Sequence, residues 1–270
     1  MRVRFLPTPP PFTRSYDELG RVVADAINGA ANNTGMGYDA LGRLTSASSP
    51  LGAFTYNYVR ATGRLDTVQL PNGQSTQFQY FANAGDQRLQ QIKHVGTGGS
   101  VISQFDYAYN AVGEMATWTL NNSGLAQAQQ YTFGYDAGDQ LKAAVLKDTG
   151  AGTVVKDFGY RYDGAGNRVG SQGSNAIVTE QANGLNQVTQ SSGGGLMRFA
   201  GTVSKPATVT VGGAPTAVDA AGSYEGYAQV NAGATTRVHV VATDSSGNVS
   251  DRYTDITPEI GVRRQFLTDC

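Results

Sequence analysis

Tyr16-Asp17-Glu18-Leu19-Gly20-Arg21-Val22 recurs as Tyr38-Asp39-Ala40-Leu41-Gly42-Arg43-Leu44, and this heptapeptide decides the fold. Looser copies follow at Tyr58-Val59-Arg60-Ala61-Thr62-Gly63-Arg64-Leu65, Tyr80-Phe81-Ala82-Asn83-Ala84-Gly85-Asp86 and Tyr109-Asn110-Ala111-Val112-Gly113-Glu114-Met115. The last two are Tyr135-Asp136-Ala137-Gly138-Asp139-Gln140-Leu141 and Tyr162-Asp163-Gly164-Ala165-Gly166-Asn167-Arg168-Val169. Successive tyrosines are 22, 20, 22, 29, 26 and 27 residues apart. A degenerate eighth copy, without the tyrosine, is Asn183-Gly184-Leu185-Asn186-Gln187-Val188. Self-similarity at a near-constant period marks an array in which each copy is one supersecondary unit.

Aromatic residues alternate ahead of the key tyrosine: Phe54, Tyr56, Tyr58; Phe105, Tyr107, Tyr109; Tyr131, Phe133, Tyr135; Phe158, Tyr160, Tyr162. A spacing of two puts each triplet on one face of a strand. The Asp-x-x-Gly segment then turns the chain, because Asp bonds nearby backbone amides and Gly tolerates positive φ. Second strands such as 65–70 and 115–120 complete a β-hairpin per repeat. Residues 14–27 have helix propensity as well, but their match to the Tyr38 copy assigns them to a hairpin. Tyr56, Tyr107, Phe133 and Tyr160 are expected on one continuous face, substantially buried. The expected fold is all-β.

Composition narrows the function. The charged fraction is 15%, against roughly 25% for an average globular chain, and Gly (35) and Tyr (14) take up much of the difference. A net charge of -1 lacks the basic face that nucleic acid requires, and the one adjacent basic pair, Arg263-Arg264, is expected to be solvated surface. The one cysteine, Cys270, excludes an internal disulfide and a cysteine–histidine zinc set within these residues. No run of about 18 apolar residues marks a membrane helix. The start, MRVRFLPTPPPF, has no apolar core and is not expected to act as a signal peptide.

The heptapeptides resemble the unit of the RHS or YD-repeat family, Tyr-Asp-x-x-Gly-Arg-Leu followed by a strand, over residues 14–190. The resemblance implies a curved, spiralling open sheet, the arc of a hollow β-shell. Such shells occur in bacterial polymorphic toxins, insecticidal toxin complexes and animal adhesion proteins. It also implies a secreted or cell-surface setting, with the rest of a larger RHS-type polypeptide or its toxin segment as partner. Many bacterial members enclose a toxic C-terminal segment behind a self-cleaving core with an Asp-Pro pair. This sequence has no Asp-Pro dipeptide, so neither that core nor its toxin is expected within it.

Gly184–Gly195 is rich in Gly, Ser, Asn and Gln and reads as a boundary. Beyond it, short alternating segments at 196–203, 207–211, 216–220, 224–230, 236–243 and 249–256 predict a small β-sandwich. Residues 205–213 and 240–249 resemble bacterial immunoglobulin-like modules, which also interrupt RHS chains. The expected organisation is an irregular segment at 1–13, repeats at 14–190, an immunoglobulin-like module at 191–257 and a tail at 258–270.

Little of the sequence carries chemistry. His94 and His239 are the only histidines and read as solvated strand residues. No Gly-x-Ser-x-Gly elbow supports a triad. Gly96–Ser100 lacks the Gly-Lys-Ser/Thr ending of a phosphate loop. Asp244–Asp251 has the flavour of a calcium loop but no Glu at a suitable distance, and reads as a tight turn. Asn32, Asn121 and Asn248 begin glycosylation-type triplets. The repeated Asp17, Asp39, Asp136 and Asp163 sit one per turn, whereas glycosidase chemistry needs two opposed carboxyls. No catalytic, cofactor-binding or metal residue is therefore assigned, and no cofactor. The expected function is a non-enzymatic structural scaffold. A carbohydrate- or cell-surface-binding adhesin is the alternative, since an aromatic ladder can stack on sugars.

Overall fold

The computed structural model describes residues 12–28, 32–173 and 176–258. The described residues are all-β, with a 3₁₀ turn at Asn83–Gly85 and no α-helix. They divide into two compact units, one ending at Gln129 and one beginning at Gln130. No helix among them is long and apolar enough to cross a membrane.

Unit one holds β1 (Phe12–Tyr16), β2 (Val22–Ile27), β3 (Thr34–Tyr38), β4 (Leu44–Ser49) and β5 (Gly52–Tyr58). It continues with β6 (Leu65–Gln69), β7 (Ser75–Tyr80), β8 (Leu89–Val95), β9 (Val101–Tyr109) and β10 (Met115–Asn122). Each strand pairs antiparallel with the next in chain order. Residues 14–27 form the β1–β2 hairpin, so pairing with neighbours overrides helix propensity there. Strand β1 begins at Phe12, which takes two residues from the segment expected to be irregular.

The register brings the aromatic triplets of this unit onto one face. Tyr56 pairs with Val68, Val68 with Thr76, Thr76 with His94 and His94 with Ser103, two positions from Phe105. Phe105 and Tyr107 in turn face Leu120 and Trp118. Their burial differs from expectation. Tyr56, Tyr107, Phe133 and Tyr160 are half-buried, and every fully buried hydrophobic residue described lies at Ala143 or beyond. Rings along a sheet face shield one another, as Phe105 does with Trp118, stacked at 6.0 Å between centroids, but a neighbour covers only part of each ring.

Unit two continues the hairpins with β11 (Gln129–Tyr135), β12 (Leu141–Asp148), β13 (Val154–Tyr162), β14 (Arg168–Gly173), β15 (Ala176–Ala182) and β16 (Val188–Gly193). The eighth copy at Asn183–Val188 is a hairpin turn, so the segment taken as a boundary contains strand β16 instead of a linker. The change of direction falls at Gly194-Gly195. There φ is +80° and +136°, and an added Cβ on Gly195 would lie 2.2 Å from the Thr179 hydroxyl oxygen.

The remaining strands are β17 (Gly195–Thr202), β18 (Ala207–Val211), β19 (Ala214–Thr216), β20 (Ser223–Val230), β21 (Thr236–Asp244) and β22 (Val249–Ile256). Strand β19 replaces the one expected at 216–220, where Val218 makes only an isolated bridge to Tyr224. The pair β17–β20 forms one sheet and β19-β18-β21-β22 another. Met197, Ala228 and Val230 of the first pack against Val211, Val238 and Ile256 of the second. Ile177 of β15 joins the same core, so the repeat strands and the later strands of this unit share one hydrophobic cluster. The opposite face of β17–β20 meets β12–β14 through Arg198, Glu225 and Tyr227. Residues 259–270, with Arg263, Arg264 and Cys270, lie outside the described residues.

Candidate functional site

Each recurring letter of the heptapeptide has an assignable contact. The carboxylate of Asp17 accepts the backbone N–H groups of Leu19 and Arg21 at 3.0 and 2.9 Å, and its second oxygen accepts Arg21 Nε at 2.7 Å. Asp39 repeats this with Leu41 and Arg43 at 2.9, 2.9 and 2.7 Å. These bonds, led by the backbone N–H of Arg21 and of Arg43, hold both carboxyls below the usual range. The backbone closes a three-residue hairpin loop, Asp17 N–H to Arg21 C=O and Gly20 N–H to Asp17 C=O. Gly20 and Gly42 occupy its left-handed position, at φ +75° and +79°.

In four copies the arginine reaches the tyrosine of the next copy, and in four the carbonyl of the last residue does. Arg21 lies over the Tyr38 ring with Cζ 4.6 Å from its centroid, and Arg43 lies over Tyr58 at 4.5 Å. Arg64 covers Tyr80 at 5.2 Å and Arg88 covers Tyr109 at 4.8 Å. Three of these tyrosines, and Tyr162, which has no covering arginine among the described residues, donate their hydroxyls backwards. Tyr38 bonds the Val22 carbonyl at 2.9 Å, Tyr58 that of Leu44 at 2.8 Å, Tyr109 that of Leu89 at 2.9 Å and Tyr162 that of Leu141 at 3.0 Å. Arg43 also donates to the carbonyls of Arg60 and Thr62 in the following loop. Cation–π contact and hydroxyl bond together staple one repeat to the next.

The turn glycine also makes room for its neighbour's arginine. An added Cβ on Gly113 would lie 3.2 Å from Arg88 Nη1, and one on Gly42 would lie 3.6 Å from Arg21 Nη1. Sequence reading stopped the Tyr80 copy at Asp86. The structure shows that Arg88-Leu89 supply its arginine and carbonyl, displaced by the 3₁₀ turn at Asn83–Gly85. Gly85-Asp86-Gln87-Arg88-Leu89 is the Gly-Arg-Leu of the heptapeptide with two loop residues inserted.

Divergent copies keep the geometry with other chemistry. In the Tyr109 copy Asn110 replaces Asp and Glu114 replaces Arg, and the Asn110 amide donates to Glu114 at 2.6 Å. Gly63 sits in a loop one residue longer, closed by Val59 N–H to Arg64 C=O. Asp136, Asp163 and Asn183 accept two loop N–H groups each, so the tyrosine-free eighth copy keeps the turn. In the Tyr135 copy Asp139, at φ +59°, takes the left-handed role and Gly138 packs beside the Asp136 carboxylate. Gly85 closes the 3₁₀ turn of the Tyr80 copy, and Gly166 has φ +84°. The same turn recurs at Asp219 and Asp244, which explains the calcium-like segment as a hairpin loop.

The histidines are apart. His94 bonds the Thr76 hydroxyl at 3.0 Å, while His239 stacks on Tyr253 at 4.1 Å and faces Asp251 at 3.2 Å. Tyr58→Phe isolates one staple, because it keeps the ring under Arg43 and removes only the bond to Leu44. It is expected to cost about 1 kcal/mol of stability, read as a lower urea midpoint at unchanged m-value.

No protein-family model matches the chain. In sequence it is 30% identical over 161 residues to the double-stranded DNA deaminase toxin A of Burkholderia cenocepacia (strain H111). That match covers 55% of this chain and 10% of the toxin, so the chain spans a small part of that relative's length. Among solved structures it is similar to a Photorhabdus luminescens Tc holotoxin pore, at 13% identity and a TM-score of 0.25, over 90% of this chain and 16% of that one. A porin-like protein from Bacteroides uniformis ATCC 8492 is similar at 12% identity and a TM-score of 0.34, over 82% of this chain and 90% of that one. At these scores neither structural likeness bears on the fold.

Proposed function

We propose that this chain is a non-enzymatic scaffold, a stretch of RHS-type YD-repeat wall in a larger secreted or surface-exposed toxin polypeptide. The observation that carries this reading is the staple, in which arginine, tyrosine and a backbone carbonyl of adjacent copies are spent on holding the copies together. The repeated aspartates are likewise occupied by loop amides, which accounts for their recurrence without chemistry. The sequence likeness to a deaminase toxin supports the toxin setting. Zinc deaminases hold their metal with one His and two Cys, or three Cys, and this sequence has one Cys in all. In this reading residues 14–190 are the wall, residues 191–257 form an immunoglobulin-like spacer, and the partner is the remainder of the polypeptide or its toxin segment.

The test is to incubate the purified chain with double-stranded DNA and, separately, alone for several days. No deaminated base and an unchanged intact mass are expected. Deamination, or a discrete internal cut that vanishes on replacing one carboxylate, would overturn the scaffold reading. Saturable binding on a glycan array, lost in Tyr56→Ala, would replace it with the adhesin.

A further inference from the structure

We infer that unit two carries a binding site for a small oxyanion, a phosphate or carboxylate group, centred on Arg161. Arg161 lies on β13, on the face of the repeat strands that β17–β20 covers, since it pairs with Gly170 in the same register that pairs Gly159 with Gln172. Its guanidinium rests against Gly170, where an added Cβ would come within 2.8 Å of Nη2. Glycine at that position leaves room for the cation.

Charge does not balance at this layer interface. Arg198 pairs with Asp157 and with Glu225, and Lys142 also pairs with Glu225. Both carboxylates are thus engaged, and among the described residues Arg161 has no ion pair. Three cations therefore meet two anions. A half-buried cation without a counter-ion is costly unless an anion joins it.

The space around Arg161 suits an anion. It lines a crevice of about 410 Å³ whose wall includes Ser192, Gly194, Gln229 and Asn231 and no acidic residue. Arg161 also lines a separate void of about 10 Å³ together with Arg198, Ser171 and Tyr227. Arg198 is 5% exposed, and its Nε has no hydrogen-bond partner there. A void of that size takes about one water molecule, so the ion belongs in the crevice, where Arg161 is the one charged residue of the lining. The planar fork of an arginine matches two oxygens of a phosphate or carboxylate, which favours an oxyanion over chloride.

The experiment is isothermal titration of the full chain with inorganic phosphate, with acetate, and with sodium chloride at matched ionic strength. Saturable 1:1 binding of phosphate or acetate, absent with chloride, is expected, and the ranking of the two identifies the favoured group. Arg161→Gln is expected to weaken binding by at least about tenfold, or about 1.4 kcal/mol, while Arg161→Lys weakens it less. If Arg161→Gln does not fold, Ser192→Ala serves instead and is expected to lower affinity. Absence of saturable binding, equal binding by chloride, or unchanged affinity in the variant used would overturn the site.

Discussion

Arg198→Ala is expected to destabilise unit two by about 3 kcal/mol, the lower end of what breaking a buried ion pair costs. The side chain is 5% exposed and pairs with Asp157 and with Glu225, the latter at 3.6 Å. Its backbone N–H donates to Gln172 Oε1 at 2.8 Å, and Gln172 Nε2 returns a bond to its carbonyl at 3.3 Å. Truncation leaves Gln172 in place, removes the ion pair of Asp157 and leaves Glu225 with Lys142 and the Tyr227 hydroxyl. Both carboxylates are 28% exposed, and Lys142 stays 3.4 Å from Glu225, so water and lysine recover part of the loss. Nearby, burial first and the Glu225 charge second push the Tyr227 phenol up to about 12. Chemical denaturation followed by circular dichroism checks the stability loss. A loss below about 1 kcal/mol, the scale of an exposed pair, would mean that the layer contact is wet and that Arg198 does not organise it.

Gly194→Ala should cost about 2–4 kcal/mol, because two penalties add. The backbone at Gly194 has φ +80°, a region that L side chains avoid. An added Cβ would also lie 2.8 Å from the Ala232 nitrogen and 2.9 Å from the Val230 carbonyl oxygen. Both obstacles are backbone atoms, so no rotamer change relieves them. Gly213→Ala is the matched control: φ is +83° and nothing lies within 4 Å of the added carbon, so only the conformational penalty of about 1–2 kcal/mol applies. Equal losses at the two positions would show that the β16–β17 corner is not tightly packed.

The sequence by itself determined the hairpins, because their signals are local. Alternating aromatics, an Asp two residues before a loop amide and a turn glycine act within one repeat, so even the tyrosine-free copy at Asn183 was legible. The role of Arg21, Arg43 and Arg64 was not legible, since each reaches the tyrosine of the next copy and only strand pairing brings the two together. The half-burial of Tyr56 and Tyr107 is likewise a matter of what covers the sheet face, which periodicity of two does not encode. Composition marks Gly184–Gly195 as a boundary but does not show that its Ser- and Gly-rich residues form a strand, because only the ladder with β15 makes β16 one. Gly159, Gly170, Arg161 and Arg198 gained meaning last of all. Their contacts join layers far apart in sequence, and the charge imbalance between those layers exists only once the chain has folded.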